Sequence, residues 1–142
     1  MHAMPACLIA FTLSLAALPL HAEDAAVTAS RKVIQAQIDA FLKNDADTAY
    51  SFAAPGIKAK FPDKAVFFDM VKKSYAPVYH PGDYAFGRSK SIDDGATVVH
   101  ELLITGTDGK NWRAFYKLSR QPDGSYKIDG VAILPDTVSK GI

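Results

Sequence analysis

The hydrophobic residues in the first half of the chain recur at helical spacing. The first such stripe follows Ser30, which we expect to be the N-cap of a helix. Its apolar positions have the i, i+4, i+7, i+8 spacing of one helix face: Ile34, Ile38, Phe41 and Leu42. This spacing predicts an amphipathic helix that begins at residue 30.

Two further helices are predicted from their caps. Asp45 can cap a short helix, which Pro55 and Gly56 should end because neither residue suits a helix interior. Asp63 can cap a third helix. The apolar face of that helix is Val66, Phe67, Met70, Val71 and Tyr75. The stretch PGIKAKFP, residues 55–62, is predicted to be a turn between them.

The stretch YAPVYHP, residues 75–81, should connect the helices to a sheet. A residue that precedes proline is disfavoured in the helical region, so the third helix should end at about Ser74 or Tyr75. Pro81 places the same restriction on His80. We therefore expect the whole stretch to be extended. Alternation would then put Tyr75, Pro77 and Tyr79 on one side and Val78 and His80 on the other.

The second half of the chain has the pattern of a β-meander. Three Asp-Gly pairs, at 94–95, 108–109 and 123–124, separate runs rich in β-branched and aromatic residues and suit tight hairpin turns. The predicted strands are Tyr84–Ile92, Ala96–Thr105, Asn111–Arg120 and Tyr126–Leu134. A fourth pair, Asp129-Gly130, lies inside the last strand and predicts a bulge or a sharp bend rather than a turn. The predicted fold class is α+β, with N-terminal helices packed on a curled antiparallel sheet.

Alternation along the strands predicts two different sheet faces. The face that the helices should cover carries Val98, His100, Leu102, Ile104, Trp112, Ala114, Tyr116 and Leu118. The opposite face carries Val99, Glu101, Leu103, Arg113, Phe115 and Lys117, joined past Gly130 by Val131 and Ile133. A solvated face should be more polar than this, so we expect part of it to be buried against a second subunit in a homodimer.

The N-terminal segment has the layout of a secretory signal peptide. Residues 7–22, CLIAFTLSLAALPLHA, form an apolar run that Glu23 and Asp24 follow at once. The run is shorter than the ~20 residues of a membrane span, although an anchored or buried N-terminal helix remains the alternative. We expect cleavage after Ala22, export to the periplasm or the medium without a stable membrane anchor, and one domain over residues 23–142. Cleavage would also remove Cys7, the only cysteine.

Composition and motifs exclude several classes of function. Lys and Arg number 16 and Asp and Glu 15, and this balance argues against a nucleic-acid partner, which usually selects a basic surface. Beyond residue 22 only His80 and His100 remain as histidines, too few for a structural zinc site without cysteine. The nucleophile-elbow, P-loop and dinucleotide-binding patterns do not occur. We predict no metal and no cofactor.

Several longer stretches carry a resemblance to known families. IDAFLKNDADTAYSFAAP resembles the opening of the cone-shaped nuclear-transport-factor-2-like superfold. From Val33 to Leu134 the chain is similar to a bacterial family of secreted proteins, domain of unknown function 4864. That likeness rests on VIQAQIDAF, AYSFAAPGIKAKFPD, YAPVYHP and NWRAFYKLSRQPDGSYKIDG. The resemblance implies a fold and a secretory habit, but no activity and no catalytic residues.

Three hypotheses for function follow. The leading one is a module that binds a small apolar or amphipathic ligand inside the cone. Its predicted ligand-binding residues are His100, Trp112, Tyr116, Tyr75, Tyr79 and Tyr50. The second, from likeness to the superfold, is an isomerase- or dehydratase-like enzyme with His100 as general acid or base. The third is a solidly filled cone whose outer sheet face serves protein contacts alone.

Two sets of residues carry alternatives that the sequence leaves open. His100 is either a titrating group inside the cone or a core histidine that one neighbour satisfies. An enzyme would need a second titrating group within hydrogen-bond reach of it. Lys58 and Lys60, in a stretch bounded by proline and glycine, either hold an anionic ligand or belong to an ordinary solvated surface.

Overall fold

The structure, a computed structural model, describes residues 2–3 and 22–137. The helices within these residues are α1 (Ala22–Leu42), α2 (Ala46–Ser51), α3 (Pro55–Lys60), α4 (Lys64–Ser74) and α5 (Ala76–Tyr79). The strands are β1 (Pro81–Ile92), β2 (Thr97–Gly106), β3 (Asn111–Arg120) and β4 (Tyr126–Pro135). The α+β prediction is confirmed. The predicted signal peptide lies outside the described residues except for residues 2, 3 and 22, and it stays a prediction.

Helix α1 begins at Ala22, so the prediction of Ser30 as an N-cap is wrong. The buried stripe extends backwards by about two more turns, because Ser30 and Ala26 continue the four-residue spacing of Ile38 and Ile34. Ser30 lies inside the helix, where its hydroxyl donates to the carbonyl of Ala26 at 2.7 Å. The serine is therefore a buried polar group rather than a helix start.

The two other predicted caps are confirmed. Asp45 precedes α2, and its carboxylate accepts from the backbone N–H of Thr48 at 3.2 Å. Asp63 precedes α4, and its carboxylate accepts from the backbone N–H of Ala65 at 2.8 Å. Helix α4 ends at Ser74, as expected. Local side-chain chemistry therefore places the beginnings of both helices.

Two stretches that were predicted to be non-helical are short helices. Residues 55–62 contain α3, and residues 75–81 contain α5 rather than an extended crossover. In both helices the proline occupies one of the first two positions, where its missing N–H is not needed. The N–H of Tyr79 donates to the carbonyl of Tyr75 at 3.0 Å, which is a helical turn. The predicted alternation of side chains along this stretch is therefore wrong.

The strands form one antiparallel sheet in the order β1-β2-β3-β4. Gly95, Gly109 and Gly124 have φ values of 86°, 80° and 86°, as the Asp-Gly turn prediction requires. The core lies between α1 and the inner sheet face. Within the described residues, no helix is long and apolar enough to cross a membrane.

A bulge in β4 changes which residues face the helices. Gly130 pairs with Lys117 and Ile128 pairs with Leu118, so Asp129 is an extra residue without a pairing partner in the ladder. Beyond it, Val131 pairs with Tyr116, and Ile133 follows on the same side. The bulge itself was predicted, but the placement of Val131 and Ile133 on the outer face is wrong. The extra residue turns both of them towards the helices.

Alanine substitutions at two glycines test how the β1–β2 turn packs on α1. Gly95 and Gly124 share a φ of 86°, so alanine should cost each about 1 to 2 kcal/mol of backbone strain. A Cβ at Gly95 would also lie 3.0 Å from the Cβ of Ala26, whereas nothing lies within 4 Å at Gly124. We expect Gly95→Ala to lower the free energy of unfolding in urea by about 1 kcal/mol more than Gly124→Ala does. Equal losses would show that the turn does not pack tightly against α1.

Candidate functional site

An apolar pocket of about 220 Å³ lies between the helices and the bulged strand. Its walls come from α1, α3, α4 and β4. Its apolar lining includes Phe41, Phe61, Phe67, Met70, Ile128 and Val131. Val131 is available to this wall only because the bulge at Asp129 turns it inward. The pocket therefore depends on an irregularity of the sheet.

Backbone hydrogen bonds fix α3 against β4 at one side of the pocket. The N–H of Ile128 donates to the carbonyl of Phe52 at 2.8 Å, and the N–H of Ala54 donates to the carbonyl of Ile128 at 2.8 Å. Ala53 thus forms an isolated parallel bridge with Ile128. Because Pro55 begins α3 directly afterwards, this bridge sets where the helix lies.

An aromatic group fixes the other side. The rings of Tyr50 and Phe67 lie 5.3 Å apart, and those of Phe61 and Phe67 lie 6.4 Å apart in an edge-to-face arrangement. The hydroxyl of Tyr50 donates to the carbonyl of Phe61 at 2.6 Å, which links α2 to the end of α3. These contacts hold the pocket wall in one arrangement.

Few polar groups border the pocket. Gln37 on α1 is buried, and its side-chain amide donates to the carbonyl of Ala49 at 3.1 Å. Lys60 and Asp129 lie on the pocket lining as a cation and an anion. The carboxylate of Asp129 lies 3.7 Å from the ammonium of Lys117. The side chain of Lys60 makes no hydrogen bond or ion pair with any residue that the structure describes.

The six residues predicted to bind a ligand do not surround one cavity. Tyr75 lines the pocket, and Tyr50 braces its wall. Tyr79 stacks on His80 with ring centroids 4.0 Å apart, and its hydroxyl donates to Asn44. Trp112 lies elsewhere, beside Asp83 and Asn111 in a shallower depression of about 170 Å³. The remaining two, His100 and Tyr116, are cross-strand partners in the core.

His100 is fully buried with one hydrogen-bond partner. Its Nε2 lies 2.7 Å from the hydroxyl of Ser30. Because that hydroxyl donates its one proton to Ala26, Nε2 is assigned as the donor to Ser30, and Nδ1 is left without a proton. Among the described residues, Nδ1 has no hydrogen-bond partner, and neither has the buried hydroxyl of Tyr116. The arrangement therefore holds a neutral histidine.

The electrostatics of the core favour that neutral form. Burial lowers the pKa of His100 to about 4, and the positive charge of Arg31 acts in the same direction. Burial likewise raises the pKa of Tyr116 above its ordinary range. The partner of His100 is a serine hydroxyl, not the second titrating group that acid–base catalysis at this residue would need. The geometry thus resembles a structural hydrogen bond more than a catalytic pair.

Sequence reasoning missed two polar residues, Ser30 and Gln37, which are buried core groups. It named Lys60 as a candidate for an anionic ligand and Asp129 as part of an irregularity in the last strand, but it placed neither beside this pocket. A signal existed for Ser30, since it continues the spacing of Ile34 and Ile38 backwards. The other positions depend on contacts between distant segments. No group of three or more His, Cys, Asp or Glu that could hold a metal ion occurs among the residues that the structure describes.

Replacement of His100 should change how stability depends on pH. Well above pH 6.5 the imidazole is neutral in both the folded and the unfolded chain and adds no pH dependence. Between 6.5 and about 4 the unfolded chain binds a proton that the folded chain excludes, so the free energy of unfolding falls as the pH falls. The decline is up to about 1.4 kcal/mol per pH unit.

We expect His100→Gln to remove that part of the decline, and His80→Gln, at a half-buried histidine, to keep it. Urea unfolding of the three proteins at about pH 7 and about pH 5, followed by far-UV circular dichroism, measures it. If wild type and His100→Gln lose the same stability between the two conditions, His100 is not excluded from protonation in the fold.

Comparison with known proteins supports one assignment. No curated protein and no solved structure matches the chain. A family model described as a domain of unknown function, DUF4864, matches residues 23–140. The match covers nearly all of the described helices and strands and confirms that part of the resemblance in the sequence. The chain therefore belongs to the DUF4864 family.

Proposed function

We propose that the protein is a binding module that holds a small apolar or amphipathic ligand in the pocket between α1, α3, α4 and β4. The observation that carries the proposal is the pocket itself, whose lining is mostly apolar with a few polar groups. Such a concave apolar surface with few polar side chains is the usual form of a small-molecule site. The proposal moves the site away from His100 and Trp112, and it keeps Tyr75.

The volume of the pocket limits the ligand. At about 220 Å³ it is below the ~300 to 1,000 Å³ of typical sites for drug-sized molecules. An apolar cavity of about 150 Å³ holds benzene, so by proportion this pocket admits about nine carbon atoms. A single short chain or one substituted ring fits this limit, whereas a two-chain lipid exceeds it.

A second candidate function is self-association through the outer sheet face. Within the described residues all helices lie on the other face, and Leu103 and Leu134 are 43% and 54% exposed on this one. Four strands about 4.8 Å apart and ten residues long give a sheet plane of about 600 Å². This approaches the ~800 Å² per partner of a standard interface.

The charged centre of that face favours the same interpretation. Glu101 is only 8% exposed, and its Oε2 has no hydrogen-bond partner among the described residues. Arg113 and Arg88 approach that oxygen to no closer than 3.8 Å and 3.7 Å. The other carboxylate oxygen, Oε1, accepts from the backbone N–H of Arg88 at 3.4 Å, so Oε2 alone lacks a hydrogen bond, and a buried acceptor without one is costly. A second copy of the chain, packed on this face, would supply the missing donors.

We also propose that the chain is exported, with cleavage after Ala22. The support is the sequence pattern, an apolar run over residues 7–22 that two acidic residues follow. An exported protein meets small molecules of the cell envelope or medium, which suits a binding role.

Filling the pocket should abolish ligand binding. Val131→Trp puts a large ring into the cavity, whereas Ala132→Trp, at the next residue, points to the outer face. We expect octan-1-ol to raise the thermal midpoint of wild type and of Ala132→Trp, because a ligand that binds only the folded state stabilises it. Val131→Trp should show no rise in the thermal midpoint.

Native mass spectrometry gives a second test of the same function. Wild type and Ala132→Trp, recovered from the exporting host, should each carry a retained small molecule. If octan-1-ol does not stabilise the wild-type protein and no retained small molecule is found with it, this function is refuted.

A charge on the outer face should separate the proposed dimer. We expect analytical ultracentrifugation to find wild type dimeric and Leu103→Glu monomeric, because the new carboxylate would be buried against the second copy. Val66→Glu is the matched control, since Val66 is 55% exposed on α4, away from this face. It should stay dimeric, and circular dichroism should show all three folded. A monomeric wild type at high concentration would exclude this candidate.

A further inference from the structure

We propose that the ligand of this pocket is a medium-chain carboxylate, an alkyl or aromatic acid of about nine carbon atoms, whose anionic head pairs with Lys60. This inference rests on the proposed binding function and assigns the chemical class of the ligand. It is carried by the distribution of charge around the pocket and by its apolar interior.

Lys60 carries a charge at the pocket that none of the described residues neutralises. Lys60 lies at the last position of α3, three residues after Ile57, so both side chains share the helix face that lines the pocket. No carboxylate lies within ion-pair distance of it among the residues that the structure describes. Lys60 is exposed beside the apolar cavity, so its ammonium ion is accessible to an anion.

The other charges support an anionic rather than a cationic head. Asp129 also lines the pocket, but the ammonium of Lys117 lies 3.7 Å from its carboxylate and balances its charge. Lys58, on the adjoining face of α3, lies over the ring of Tyr50 at 5.2 Å and adds positive potential nearby. Lys58, Lys60, Lys117 and Asp129 together therefore give the pocket mouth a positive net charge. This charge attracts carboxylates and repels protonated amines.

The interior fits a hydrocarbon tail. Phe41, Phe67 and Val71 are buried core residues that also line the pocket, and Met70 and Val131 adjoin them. The free energy gained from an apolar tail grows with the apolar area that is buried there. The tail thus provides most of the affinity, and the head provides orientation. The small volume excludes a second acyl chain, so the ligand is a free acid rather than a membrane lipid.

Three probes with the same tail test the head group: octanoate, octan-1-ol and octylamine, titrated calorimetrically at neutral pH and low salt. We expect wild type to bind octanoate most tightly. Lys60→Gln should weaken octanoate about fivefold and leave octan-1-ol unchanged, because a partly exposed ion pair contributes modestly. Lys60→Arg should retain the preference for octanoate. Lys58→Gln, at the neighbouring lysine over Tyr50, is the matched control and should keep most of it.

The outcomes separate this inference from the proposed function. If none of the three probes binds wild type, the binding function itself fails. If octan-1-ol and octanoate bind equally and Lys60→Gln changes neither, the pocket binds ligands but the carboxylate assignment is overturned. Tightest binding of octylamine would overturn it too and would assign the head group to Asp129. Retained octan-1-ol binding in Lys60→Gln shows that the variant is folded.

Discussion

The fold depends on the packing of one helix, α1, against the inner face of the sheet. Its stripe of Ile34, Ile38 and Phe41 is almost fully buried against a sheet face of the same character. The same helix contacts α2, α5 and three of the four strands. Burial of this apolar area is the main favourable term in a domain of this size. Removal of α1 would expose the sheet and leave the shorter helices without a support.

Two buried polar residues fix the position of α1 on that surface. Ser30 lies opposite His100, and Gln37 reaches the backbone carbonyl of Ala49 in α2. An apolar stripe tolerates small rotations and shifts, whereas a buried hydrogen bond is lost when its partners move by about 1 Å. A shift of α1 would leave these groups unpaired in the core, at a cost of about 1 to 3 kcal/mol each. Hydrophobic burial thus holds the helix to the sheet, and these two contacts specify its register.

The sequence predicted well whatever depends on neighbours along the chain. Asp45 and Asp63 cap helices by bonds that span two or three residues, and the Asp-Gly turns need only local backbone freedom. Alternation likewise separated the inner from the outer face along β2 and β3, but beyond the bulge in β4 it placed Val131 and Ile133 on the wrong face. The pocket was not predictable in this way, because Phe61, Met70 and Val131 meet only through the bulge at Asp129 and the bridge between Ala53 and Ile128. Hydrophobic periodicity also does not identify α3 and α5. Each is a short helix with proline near its start, and such a sequence has the same pattern as a turn.

The interior histidine and the pocket differ in whether their polar groups are charged and accessible. His100 looked reactive in the sequence, yet its burial keeps it neutral and bonded to Ser30, where water and ligands do not reach it. Charged groups lie instead at the edge of the core, where Lys60 and Asp129 line the pocket. A core whose titrating groups are neutral can bury apolar area without the free-energy cost of burying a charge. At the edge of that core, an apolar cavity lies beside the ammonium ion of Lys60, which has no partner among the described residues.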